Sequence, residues 1–413
     1  MKKTRKDNKG RVLRLGEYQR HDKTYEYRYT DPFGKRRGIY ADTLQELRKE
    51  EDKLLRDQLD GLDIYSGGEA TVNFLFDRYI KMKTNLRNST LANYKYMYKK
   101  FVRDSFGKKK IVEVKYSDVL QFYNHLITDC GLKIETVDNV HSTLHPAFQL
   151  AVRDNIIRRN PTDGVMATIK KGRTRVKTTR HALTLEQQRT FMNYVAESPF
   201  FCDWLPLFTV MLGTGCRVGE LVGLRWEDLD FENKLISINH SLTYYPQDGE
   251  DKKRTCSFAV SLPKTEAGIR TIPMLPQVEN ALIDQKKQNS FDGRVSETID
   301  GMTDFIFLTG NNRVITPRQI NDVIKRIVKA CNEAEAKKAA DENREAVVVP
   351  HFSNHYLRHT FCTRFCESEP NVKVVQSVMG HANISTTLDI YTDVTENKKS
   401  EAMMKLAMEV DVF

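Results

Sequence analysis

No apolar run in this 413-residue chain approaches transmembrane length, and the opening Met-Lys-Lys-Thr-Arg-Lys leads into more charge instead of an apolar core. These absences argue against a membrane helix and a secretory signal, and set the expectation of a cytoplasmic protein with no membrane partner. The seven cysteines are odd in number, scattered, and without a Cys-x-x-Cys pair, which argues against a disulfide framework and a zinc site. Cys362 and Cys366 could share a helix face, but no second pair accompanies them, so they read as small buried apolar residues. There is no Gly-x-x-x-x-Gly-Lys-Ser/Thr loop and no acidic cluster spaced for two metals. The expectation is chemistry with no cofactor and no metal.

Charge is present in excess and unevenly placed. The formal net charge is +10, yet residues 1–37 alone carry thirteen Lys/Arg against five Asp/Glu, and Lys170 to Arg180 carries six basic residues and no acidic one. The rest of the chain is therefore about −4, so the basic excess is not a general solubilising coat. Clusters of this kind favour a polyanionic partner. A length of 413 residues allows two or three domains, each with its own core.

Hydrophobic patterning divides the chain. Tyr25, Tyr27 and Tyr29 alternate with Glu26, Arg28 and Thr30 in the manner of a strand, and Asp31-Pro-Phe-Gly34 reads as a turn. Thr43 and Glu46 then form a capping-box signature before a helix reaching Gly61. After a connector containing Gly67-Gly68, four helices are expected, the first from near Thr71, the next two capped by Ser89 and Ser117, and the fourth running through Val137, Leu144 and Ala151. Thr184 and Gln187 open a further helical region, with one sheet expected from Leu235–Tyr244, Thr255–Leu262 and Ile269–Met274.

The chemistry-bearing residues lie in this last region. His355 and Arg358 are one helical turn apart, His381 follows Gly380, and Tyr391 stands ten residues beyond His381. Upstream, Gly213-Thr-Gly-Cys-Arg217-Val-Gly-Glu220 places a second arginine at a glycine-rich helix start, with Glu220 one turn on to buttress it. Two guanidinium groups suit a phosphorane, and Tyr391 supplies a hydroxyl. Pro263-Lys264-Thr-Glu-Ala-Gly268 reads as a tight turn presenting Lys264.

In order and spacing these residues resemble the tyrosine recombinases, and the N-terminal region narrows the likeness to integrases of conjugative transposons and temperate phages. Cys216, where a leucine is common, is a small departure. The resemblance implies a multidomain, mainly α fold with small β-sheets: an arm-type DNA-binding domain of a three-stranded sheet plus helix (1–66), a helical core-binding bundle (71–168), a basic linker (169–181), a mixed α/β catalytic domain (182–397) and a tail for protomer exchange (398–413). It implies Tyr391 as nucleophile, Arg217 and Arg358 on the non-bridging oxygens, Lys264 as general acid, and His355 and His381 in roles left undivided. Arg28, Lys35, Arg36 and Arg37 of the sheet, and Lys170, Lys171, Arg173, Arg175 and Lys177 of the linker, become candidate DNA contacts.

The implied activity is excision and integration of a mobile element through a 3′-phosphotyrosyl intermediate. The implied partners are double-stranded DNA at element ends, circular intermediate and target site, further copies of the chain in a tetramer on DNA, and an accessory excision or DNA-bending protein. A bacterial enzyme associated with the nucleoid when bound is the corresponding location. A type IB topoisomerase and a DNA-binding regulator with incidental catalytic residues are the alternatives. The arm module and extended tail speak against the first, and the filling of all six catalytic positions against the second.

Overall fold

A computed structural model describes residues 5–30, 36–59, 70–84, 86–171, 182–248, 254–263 and 266–390. The chain divides into two compact units, Met1–Val176 and Lys177–Phe413. In the first, β1 (Glu17–Gln19), β2 (Tyr25–Thr30) and β3 (Arg36–Ala41) form an antiparallel sheet in that order. The alternation of β2 sorts its faces: Tyr25 is buried with Leu44 and Leu47 of α1 (Leu44–Leu59), and Tyr27 packs against the same cluster. The α1 start is capped as expected, with the Glu46 N–H donating to Thr43 Oγ1 at 3.2 Å. Across the outer face the register aligns Tyr18, Glu26 and Tyr40. Glu26 is buried there beneath the Tyr40 hydroxyl, which donates to it at 3.2 Å, and the Arg28 guanidinium at 2.9 Å.

Beyond α1, this unit forms α2 (Val72–Met82), α3 (Asn88–Phe101), α4 (Tyr116–Thr128), α5 (Ile134–Arg153) and α6 (Val165–Lys171). Their apolar faces close on one core, in which Phe76 and Tyr98 stack with ring centroids 3.6 Å apart. Thr71 caps α2 by accepting from the Phe74 N–H at 3.3 Å. Ser89 and Ser117 are not caps. Each lies inside its helix, the N-cap positions being Arg87 and Lys115, and Asp118 serves α4 by accepting the Lys115 N–H at 2.9 Å. Residues 169–171, expected in the linker, are the end of α6, because Ile169 is buried in the bundle core.

In the second unit, α7 (Leu185–Glu197) starts at the expected box: the Gln187 N–H donates to Thr184 Oγ1 and the Thr184 N–H to Gln187 Oε1, both at 3.1 Å. There follow α8 (Leu205–Thr214), α9 (Val218–Val222), five strands, α10 (Pro276–Phe291), α11 (Pro317–Asp341), α12 (Asn354–Ser368) and α13 (Val372–Met379). The core gathers Phe191, Phe208, Phe305, Phe307, Phe352 and Leu357 from widely separated segments.

The strands differ from the single sheet expected. The segment 235–244 breaks at Asn239 and His240, so that β5 (Leu235–Ile238) pairs with β4 (Leu229–Asp230) and β8 (Arg270–Pro273), while β6 (Ser241–Asp248) pairs with β7 (Arg254–Ser261) in a second sheet. The break has a polar cause. His240 is buried, and its Nε2 bonds the carbonyl of Gly223, the residue ending α9, at 2.7 Å, which draws the chain off the first sheet.

Candidate active site

Gly215 ends α8 at a positive φ of 61°, where a Cβ would lie 2.3 Å from the Phe361 ring, so the turn into Arg217 requires glycine. Arg217 is extended and is the N-cap of α9. Glu220, in the first turn, takes the Arg217 backbone N–H on Oε2 at 2.9 Å and its Nη1 on Oε1 at 2.7 Å. The buttress expected for Arg217 is therefore present as a doubly bonded carboxylate.

Glu220 also holds a third arginine that sequence reasoning missed. Arg270 of β8 donates from Nη2 to Oε2 at 2.8 Å and from Nη1 to Oε1 at 3.2 Å. The available signal was its place in the strand alternation, in step with buried Ile272 and out of step with exposed Thr271. A charge at an inward strand position must be paired.

The C-terminus of α13 gathers all three guanidinium groups. Arg270 Nε donates to the carbonyl of Val378 at 2.6 Å, Arg358 Nη2 to Met379 at 2.7 Å, and Arg217 Nη2 to Gly380 at 2.8 Å. Carbonyls at a helix C-terminus carry partial negative charge and lack intrahelical donors, which suits them to cations. Arg358 also donates from Nη1 to the Gly215 carbonyl at 2.6 Å, tying the glycine turn to the same point. Gly380 holds the bend with φ of 62°.

His381 follows this bend, buried, with Nδ1 2.9 Å from Thr387 Oγ1 and its carbonyl accepting from Gln376 Nε2 at 2.9 Å. Burial, then the charges of Arg358, Arg217 and Arg270, lower its pKa to about 4, so the imidazole is neutral at neutral pH. Burial also lowers Arg358 to about 10, helped by Arg217 and opposed by Glu220. Burial opposes ionisation of Glu220, but the Arg270 hydrogen bonds and the charges of Arg270 and Arg217 overcome it and bring its pKa to about 2. The cluster thus holds three cations and one anion, a net positive charge that favours an anionic ligand. Arg217 is the cation open to solvent, its side chain 40% exposed against 5% for Arg270.

Arg217, Glu220, Arg358 and His381 are thereby brought together. His355 is on the first turn of α12 and exposed, whereas Arg358 is buried, so the two differ in environment despite their spacing. Lys264 and Tyr391 lie outside the described residues, as do Lys35, Arg173, Arg175 and Lys177. Residues 384–390 are helical, and Ile390 packs against the α12–α13 cluster of Cys362, Cys366, Val375 and Met379, where the two cysteines are buried as read. Arg28, Arg36, Arg37, Lys170 and Lys171 are exposed. Lys170 is engaged by Asp138 at 2.9 Å.

Among the described residues no group of His, Cys, Asp and Glu could hold a metal ion, and no helix is long and apolar enough to cross a membrane. The arrangement is a cationic arginine cluster in a mainly helical domain with small antiparallel sheets. The phage integrase family domain matches residues 181–398, the DNA binding domain of Tn916 integrase matches 1–59, and the phage integrase N-terminal SAM-like domain matches 71–127. The chain belongs to the phage integrase family and is a tyrosine recombinase of the conjugative-transposon integrase type.

It is 30% identical to the transposase from transposon Tn1545 of Streptococcus pneumoniae and to that from Tn916 of Enterococcus faecalis, over 99% of this chain and 98% of each relative. The structure of the Tn1549 transposon integrase in complex with a circular intermediate DNA superposes with a TM-score of 0.69 at 29% identity, covering 81% of this chain and 99% of that one. A lambda integrase dimer bound to a core site, at 19% identity and a TM-score of 0.51, shares the fold.

Proposed function

We propose that this chain cuts and rejoins DNA at the ends, circular intermediate and target site of a mobile element, with Tyr391 as nucleophile. The observation that carries this reading is the convergence of Arg217 and Arg358 on the end of α13, beside neutral His381, which stands ten residues before Tyr391. Support comes from the Tn1549 integrase, whose structures hold circular intermediate DNA and transposon right end DNA.

In this reaction the Tyr391 oxygen bonds to phosphorus and the bond to the 5′-oxygen breaks, leaving a 3′-phosphotyrosyl ester. Lys264 gives its proton to the departing oxygen. Arg217 and Arg358 hold the non-bridging oxygens, where charge grows toward the transition state, and fixed guanidinium donors gain most there. His381, kept neutral by burial and its cationic neighbours, donates to a phosphate oxygen, and His355 accepts the tyrosine proton or steadies the phosphate. Reversal by a 5′-hydroxyl of another strand completes the exchange.

Residues 1–66 serve as the arm-type DNA-binding domain, 71–171 as the core-binding domain, and 182–397 as the catalytic domain, with the basic segment 172–181 along the phosphate backbone. Exchange between two duplexes breaks four strands with one tyrosine each, hence four protomers on DNA. An accessory excision or bending protein and a cytoplasmic, nucleoid-bound location complete the proposal. The deciding experiment incubates the full-length protein with a nicked substrate from the element's end and resolves covalent adduct on a denaturing gel. Wild type should form adduct and Tyr391→Phe none, with DNA binding retained. Adduct from Tyr391→Phe would move the nucleophile elsewhere. Four-way junction products separate a recombinase from a topoisomerase.

A further inference from the structure

We propose that Arg270 is a positioning residue for the cleavage reaction, setting the Arg217 guanidinium through Glu220 and the His381 segment through Val378; this rests on the reading above. All three of its guanidinium nitrogens are engaged, by the two Glu220 oxygens and the Val378 carbonyl. Its side chain is 5% exposed. A group so enclosed does not meet substrate, and its effect must pass through the groups it holds.

Those groups are the ones the reaction uses. Each Glu220 oxygen that Arg270 grips also takes a bond from Arg217, Oε1 from the side chain and Oε2 from the backbone. The carboxylate is thus fixed between a buried arginine and a half-exposed one. Without Arg270, Glu220 would keep only Arg217 as its charged partner, and both would be free to turn toward each other and away from a phosphate. The Nε bond to Val378 lies three residues before His381 and next to the carbonyls that hold Arg358 and Arg217. One side chain therefore fixes both sides of the proposed phosphate site.

Stability is a poor reason for the arrangement. A buried ion pair is often no better than an apolar replacement, and β8 otherwise turns Ile272 inward at this face. Charge supplies a better one. Three arginines against one glutamate leave the cluster at +2, which suits the doubly negative phosphorane more than the singly negative phosphodiester.

The test uses full-length Arg270→Lys and Arg270→Met with the nicked substrate. Lysine keeps the charge but cannot bridge both oxygens and the carbonyl, so it should not rescue. With the melting temperature of Arg270→Lys unchanged, its adduct rate at saturating DNA should fall about 10- to 100-fold, the cost expected of a misplaced catalytic group, while the half-saturating DNA concentration stays within about threefold. In Arg270→Met, the His381 imidazole followed by NMR without DNA should titrate at higher pH than in wild type, because a nearby cation is gone.

An Arg270→Lys rate within about twofold of wild type, a loss that only tracks the unfolded fraction, or an unmoved His381 titration in folded Arg270→Met would overturn the proposal. If Arg270→Met does not fold, the Arg270→Lys rates decide. A wild type that forms no adduct refutes the cleavage reading itself and the proposal with it, an outcome separate from any behaviour of the variants.

Discussion

Arg217 and Gly380, 163 positions apart, are joined by a 2.8 Å hydrogen bond from the guanidinium Nη2 to the backbone carbonyl. The neighbouring carbonyls of Met379 and Val378 hold Arg358 and Arg270 in turn. A short helix thus uses its last carbonyls as a rack for three arginines. The positions of the cations are tied to backbone, which moves less than side chains, and preorganisation of this kind is what stabilises charge in a transition state.

Gly380→Ala should therefore disturb both fold and site. An alanine at φ of 62° is strained, and its Cβ would lie 2.9 Å from Arg270 Nη1 and 3.0 Å from the Ala267 carbonyl. The expected destabilisation is about 1–2 kcal/mol from the backbone alone. Denaturant midpoints measure it. Adduct rates should fall further than the lost folded fraction explains, and wild-type stability with wild-type cleavage would refute the role of the bend.

Stability should decline on acidification before most carboxylates respond. His381 and His141 both have pKa values lowered to about 4, the first by burial and three arginines, the second by burial and His145. Each is neutral in the folded protein but binds a proton near 6.5 when unfolded, so its contribution is full above 6.5 and lost as pH falls toward 4. Glu220, with pKa lowered from 4.5 to about 2, withdraws its share only below about 4.5. Urea midpoints at pH 7.5 and 5 isolate the histidines. His381→Gln should flatten the difference, and an unchanged slope would contradict the buried neutral imidazole.

Removal of residues 1–66 should leave cleavage at the crossover site but eliminate binding to separate arm sites. Gel shifts with arm and core duplexes distinguish the two. Loss of both activities would make the sheet module integral to the enzyme. Binding by the isolated module should weaken steeply with salt, as expected where Lys and Arg displace counterions from phosphates.

Deleting residues 398–413 should disrupt synaptic assembly on DNA and alter cleavage by Tyr391. Met403, Met404, Leu406, Ala407, Val410 and Phe413 lie among charges in a segment too short to fold alone, so burying them takes another surface. That surface is proposed to be a neighbouring protomer, with the free protein a monomer or weak oligomer. Light scattering and native gels read the assembly, and normal tetramers with unchanged cleavage would exclude tail exchange.

Much of the site was legible because its signals are local. Arg217 and Glu220 are three residues apart at a helix start, a spacing at which a carboxylate meets both the cap N–H and the side chain. Arg270 was passed over because an arginine after a turn reads as one more basic residue on a strand. Only burial against Glu220, fifty positions away, gives it a role. His355 and Arg358 show what spacing leaves open, since positions one helical turn apart need not be equally buried.

By itself the sequence determined what short-range physics controls: the Thr184–Gln187 box, the tyrosine faces of β2 and the helical periods, and it named the residues proposed to bind and attack a phosphate. Tertiary structure decided what depends on distant partners. The strand expected through Tyr244 turns off its sheet because His240 finds the Gly223 carbonyl, and three arginines become one site because the end of α13 arrives with three unpaired carbonyls. Caps and periods are satisfied within a few residues, whereas a buried charge is satisfied only by whatever the whole fold brings to it.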